Sequence, residues 1–81
     1  MTVVTLYGKP GCHLCFDAFQ AIEKVRRDRD FELREIDITM DPGLNHDYGE
    51  RIPVVEIDGV EAFQFFVDPD ALGRALDRVD T

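Results

Sequence analysis

Cys12 and Cys15 are the two cysteines of this 81-residue chain, and only His13 and Leu14 separate them. Side chains three apart on the first turn of a helix share one face, close enough for a disulfide with little backbone movement. A helix N-terminus also presents unpaired N–H groups and a partial positive charge, which favour thiolate over thiol. This spacing makes Cys12 the candidate nucleophile and Cys15, one turn further in and more buried, the candidate second thiol. Two other readings of the pair stand beside this one. A purely structural disulfide across so few residues would constrain the unfolded chain little and stabilise it modestly. A zinc site wants four ligands, and His13 and His46 are the only imidazoles, without paired histidine spacing. Exchange chemistry fits best, with Cys12 attacking a substrate disulfide and Cys15 resolving the mixed disulfide. Lys9, three residues before Cys12, is a cation placed to favour the thiolate. His13 could tune the redox poise as an imidazolium, or point to solvent. Leu14 is an apolar residue available for contact with a partner protein.

The flanking pattern supplies elements to position the pair. Thr2–Tyr7 carries apolar residues on both faces, which predicts a central strand. A Gly8-Lys9-Pro10-Gly11 turn ends it. From Cys12 an apolar stripe of Leu14, Ala18, Ile22 and Val25, widened by Cys15 and Phe19, predicts a helix that stops within Arg26–Asp30. Phe31–Ile38 interleaves apolar and charged residues as an edge strand does, and strand, helix and strand make a parallel βαβ unit. Asp41-Pro42 opens a short helix that Gly49 closes. Val54–Ile57 and Val60–Phe66 form an antiparallel pair about Asp58-Gly59. Phe63, Phe65 and Phe66 are expected in the core or on a strand face. Asp68-Pro69 caps a last helix whose apolar face is Ala71, Leu72, Ala75, Leu76 and Val79. The order is β-α-β-α-β-β-α, in one domain spanning residues 1–81.

Composition limits the partners. Hydrophobic content of 44% indicates a folded globule, and the formal net charge is -8. Residues 1–40 hold six cations against seven carboxylates, and residues 41–81 hold three against ten. Such a surface repels phosphates and anionic lipids, so neither nucleic acid nor membrane is an expected partner. No apolar run approaches the roughly 20 residues of a membrane span, and the N-terminus has no basic leader or cleavage site. A soluble, cytoplasmic monomer is the expectation.

Three features in order, Tyr7-Gly8-Lys9-Pro10-Gly11-Cys12-His13-Leu14-Cys15, Arg51-Ile52-Pro53-Val54-Val55 and Ile57-Asp58-Gly59, resemble the thioredoxin superfamily, and within it the small glutaredoxins and glutaredoxin-like proteins. The resemblance covers essentially the whole chain. It implies an α/β thioredoxin-like fold, a mixed four-stranded sheet with helices on both faces, and dithiol–disulfide exchange at Cys12 and Cys15. It also implies a cis Pro53 beside the cysteines, which leaves the backbone of Ile52 to pair with an extended substrate segment. Lys9 and Arg51 would then meet glutathione carboxylates, against the readings of Lys9 as a solvated loop lysine and of Arg51 as a local ion-pair partner, with glutathione as co-substrate and no permanently bound cofactor. Three departures bear on glutathione, one of them a shortened second helix. Typical dithiol glutaredoxins have Pro and an aromatic residue where this chain has His13 and Leu14. Their Gly-Gly pair and Cys-Asp-Asp-like segment are replaced by Phe65-Phe66-Val67-Asp68-Pro69-Asp70. A protein disulfide is therefore an alternative partner to a glutathione mixed disulfide. A different class of function would be a binding module, either an iron–sulfur carrier or a redox-inert adaptor.

Overall fold

The computed structural model describes residues 1–80. In chain order the elements are β1 (Val3–Gly8), α1 (His13–Arg26), β2 (Glu32–Asp37), a 3-10 turn (Ile38–Met40), α2 (Pro42–Tyr48), β3 (Val54–Ile57), β4 (Val60–Gln64) and α3 (Pro69–Asp80). The four strands form one sheet in the order β2-β1-β3-β4. β1 and β2 are parallel, whereas β3 runs antiparallel to both β1 and β4. This is the thioredoxin-like arrangement that the resemblance implied. The three consecutive buried residues Val4, Thr5 and Leu6 follow from the central place of β1.

Side chains alternate across a strand, so Val4, Leu6, Val55 and Ile57 face one side of the sheet and Tyr7, Val54 and Glu56 the other. On the first side lie Ala18, Ile22 and Val25 of α1 and Leu72 and Leu76 of α3, in one buried cluster with Phe31. Burying a leucine such as Leu72 contributes roughly 1.5–3 kcal/mol. On the second side the cover is thinner, with Tyr48 of the seven-residue α2 stacked on Tyr7. Arg29 ties the end of α1 to α3 by donating to the Gly73 carbonyl (3.4 Å) and pairing with Asp77 (3.0 Å).

The caps follow local chemistry. Lys24 and Arg26 sit in the last turn of α1, where cations oppose the negative end of the helix dipole. The Asp41 carboxylate accepts from the N–H groups of Gly43 (2.8 Å) and Leu44 (3.3 Å), so it caps α2 with Pro42 directly behind it. Among the described residues no helix is long and apolar enough to cross a membrane.

Two expectations need correction. β4 ends at Gln64 rather than at Phe66, because Phe65 takes φ 69° and its N–H turns to the Pro53 carbonyl at 2.8 Å. Phe63 packs against the core, but Phe65 and Phe66 are exposed, Phe66 by 72%. Val79 also leaves the apolar face, 44% exposed one turn beyond Leu76 and outside the packed cluster.

Candidate active site

β1 ends beneath the first turn of α1, and Gly8 makes that approach possible. A Cβ at Gly8 would lie 3.0 Å from the Cys15 sulfur and 3.2 Å from its Cβ. Gly11 then takes φ 78°, a left-handed conformation that a side chain would strain, and the chain reverses into α1. Cys12 keeps an extended backbone and is the N-cap, so its side chain stands where the helix has free N–H groups. Its sulfur accepts from the Cys15 N–H at 3.2 Å. The two Cα atoms are 5.2 Å apart and the sulfurs are joined in a disulfide. Cys15 is 8% exposed, whereas Cys12 is only half-buried. One sulfur is thus accessible to a partner and the other is held behind it.

The loop before β3 closes the opposite flank. Ile52 is buried in a cluster with Cys15 and Ile38. The Ile52–Pro53 bond is cis, as the resemblance implied. The hydrogen bond from Phe65 to the Pro53 carbonyl brings the Phe65-Phe66 corner to this loop. The aromatic pair, expected in the core or on a strand face, therefore stands exposed beside the Pro53 loop.

Glu56, on the far face of the sheet, gathers a network that the sequence pattern does not reveal. Its two carboxylate oxygens accept from the hydroxyls of Tyr7 (3.0 Å) and Tyr48 (3.2 Å), whose rings stack at 4.7 Å. Burial, and then the hydrogen bond to Glu56, push the Tyr7 phenol up to about 12. The same causes raise Tyr48. The Arg51 guanidinium lies 5.0 Å from the centre of the Tyr48 ring, pairs with Glu61 at 2.9 Å and donates to Gln64 at 3.3 Å. Its charge is engaged in local contacts, the alternative to holding a ligand carboxylate.

The other candidates spread around the cysteines. Lys9 is exposed in the loop before them. His13 is exposed and faces Asp17 one helical turn on, at 3.5 Å. Leu14 is half-buried in the first turn of α1. No group of three or more metal-ligating side chains occurs among the described residues. At the start of α3, Pro69 offers no N–H and the Asp68 carboxylate accepts from the Asp70 N–H at 3.3 Å. Phe16, directly after Cys15, is 59% exposed and is a residue that the sequence reading missed. Its signal was available, an aromatic on the polar side of the α1 stripe.

The family with the description Glutaredoxin-like domain (DUF836) matches residues 3–77. The uncharacterized protein Rv0508 of Mycobacterium tuberculosis is 31% identical over 80 residues, covering 93% of this chain and 82% of that one. The X-ray structure of a structural-genomics target protein, XcR50 from X. campestris, superposes with a TM-score of 0.78 at 29% identity, covering 93% of this chain and 96% of that one. A mutant thioredoxin from Halobacterium salinarum shares the fold with a TM-score of 0.71 at 22% identity, over 95% of this chain and 73% of that one.

Proposed function

The chain belongs to the glutaredoxin-like domain family, and from that premise we propose that it is a thiol–disulfide oxidoreductase working through Cys12 and Cys15. The observation that carries the reading is Cys12 at the N-cap of α1, its sulfur accepting the Cys15 N–H, with Cys15 buried one turn behind. In the reduced protein the same N–H and the positive end of the helix stabilise negative charge on the Cys12 sulfur. That thiolate attacks one sulfur of a substrate disulfide, expelling the other as a thiolate and leaving a mixed disulfide. Cys15 then attacks the Cys12 sulfur, which releases the second substrate thiol and forms the intramolecular disulfide. Two electrons pass to the substrate, and turnover needs a source of electrons to reopen the bridge, for which a reducing cytoplasmic setting is suited.

For the substrate, a protein disulfide is favoured over glutathione. The start of α3, where the family segment helps hold glutathione, lacks the family's Gly-Gly pair, is capped by Asp68 and has no N–H at Pro69. A ligand carboxylate finds fewer free N–H groups there than a helix start without proline would offer. Arg51, the other candidate counter-charge, is already paired with Glu61.

The test is mass spectrometry of the Cys15→Ser variant exposed to oxidised glutathione and then chased with reduced glutathione. The expected result is an adduct on Cys12 that forms slowly or persists, while the wild type still reduces a protein disulfide. Fast gain and fast loss of glutathione would make this a working glutaredoxin. No reactivity of Cys12 with any disulfide would remove the oxidoreductase reading.

A further inference from the structure

A groove of about 480 Å³ runs beside the dithiol, between α1 and β2, with Cys12 and Cys15 in its wall. It lies on the β2 side of β1, whereas Pro53 precedes β3 on the other side. In the parallel register Glu35 stands opposite Leu6 and Asp37 opposite Gly8, so all four positions face α1. Leu6 fills part of the space between the strands and α1, and Cys15 takes the place that a side chain on Gly8 would need. What remains is floored by Leu6 and Phe19, rimmed by the exposed Phe16, and walled on the β2 side by Glu35 and Asp37.

Three properties of this groove constrain what fits it. Its floor is apolar, and a side chain of leucine size entering it would shed most of its contact with water. Its β2 wall is acidic. Glu35 is exposed with no ion pair among the described residues, and the Asp37 carboxylate is engaged by the uncharged N–H and hydroxyl of Thr39. Lys9 is the single cation lining the groove. Finally, β2 is an outer strand, so its far row of backbone N–H and C=O groups pairs with no strand among the described residues. An extended segment can add to such an edge.

We propose that this groove docks the reducible segment of a protein partner. The segment is extended along β2, with an apolar side chain next to its reactive cysteine seated against Phe16 and Phe19 and a basic residue opposite Glu35 and Asp37. The proposal rests on the thiol–disulfide reading of Cys12 and Cys15 and adds to it the docking face and the chemistry of the segment. A segment so placed brings its disulfide to Cys12, the less buried of the two cysteines, from the β2 side. The exchange is the balanced one already given: the reduced dithiol supplies both electrons, the partner leaves as a dithiol, and Cys12 and Cys15 end as the disulfide.

The experiment measures single turnovers of fully reduced protein with three synthetic peptides of one length, each closed by one internal disulfide. The first cysteine is preceded by Leu-Lys, Leu-Glu or Gly-Lys, and hydroxyethyl disulfide serves as a small uncharged probe. Rates come from acid quench, alkylation and mass spectrometry. The wild type should react about fivefold faster with the Leu-Lys peptide than with Leu-Glu, and about tenfold faster than with Gly-Lys. Glu35→Lys should bring the Lys-to-Glu ratio to one or below. Phe16→Ala should reduce the Leu-to-Gly ratio to about threefold. Each ratio is taken within one variant, so a change in overall reactivity or folding cancels. Ratios in the two variants equal to those of the wild type would overturn the groove while leaving the exchange chemistry standing. Failure of every peptide and of hydroxyethyl disulfide alike would show instead that the exchange chemistry is absent, and the docking proposal would fall with it.

Discussion

The Glu56 carboxylate is a single group shared by two phenols, and it makes a titration measurable. Tyr7 and Tyr48 are the only tyrosines, so absorbance near 295 nm reports them and nothing else. Tyr7 should deprotonate near pH 12, and Tyr48 above its ordinary value of 10.0. A raised phenol pKa means that the folded chain holds its proton more tightly than the unfolded chain. The associated stability is therefore complete below pH 10 and is lost as the pH climbs from 10 toward 12. Glu56→Gln should lower both transitions, though only part of the way, because burial is the larger cause for each. An unchanged titration curve in Glu56→Gln would disprove this account of the network. At this scale the dithiol was legible from its spacing, since Cys12 and Cys15 lie within one turn and depend on local structure alone. Glu56 was not, because its partners come from β1 and α2, 49 and 8 residues away in the chain. Arg51 was legible only as one of two options, and its pairing with Glu61 depends on β4 lying across from the loop before β3.

The short helix α2 is the element that brings Tyr48 onto Tyr7, and it has little of its own to hold it. Seven residues are too few for a helix to persist without help, and none of its residues is fully buried. The two hydrogen bonds from Gly43 and Leu44 to Asp41 are therefore a large share of its local support. Asp41→Ala should lower the unfolding free energy by about 1 kcal/mol, which in a domain of this size lowers Tm by about 4–8 °C. Calorimetry checks it, and a Tm unchanged within error would mean that tertiary contacts rather than the cap hold α2. This helix and most other elements were readable because their signals are local: Asp41-Pro42, the i, i+3, i+4 stripe from Cys15 to Val25, and Asp58-Gly59 between two apolar runs. The end of β4 was not. Phe65 and Phe66 have strong strand propensity, and the turn that stops the strand is set by a long-range bond from Phe65 to the Pro53 carbonyl. Val79 fits the helical period of α3, but period does not say where the opposing layer ends.

Across the whole molecule, charge and shape act together on the choice of partner. A formal net charge of -8 on 81 residues surrounds the dithiol with a negative field, and such a field changes encounter rates before any contact is made. Oxidised glutathione is an anion and is repelled; a segment with basic residues is drawn in. Both effects are screened as the Debye length shrinks from about 30 Å at 0.01 M salt to about 3 Å at 1 M. Raising the salt over that range should slow the wild-type reaction with the Leu-Lys peptide, speed its reaction with oxidised glutathione, and leave hydroxyethyl disulfide unaffected. The last of these isolates encounter from chemistry, because the same Cys12 sulfur performs the attack in all three. In Glu35→Lys the slope for the Leu-Lys peptide should flatten only partly, since one reversed side chain leaves most of the net charge in place. A slope abolished by that single substitution would assign the steering to the groove alone, and parallel slopes for all three probes would mean that salt acts on the dithiol and that the field around it does not select.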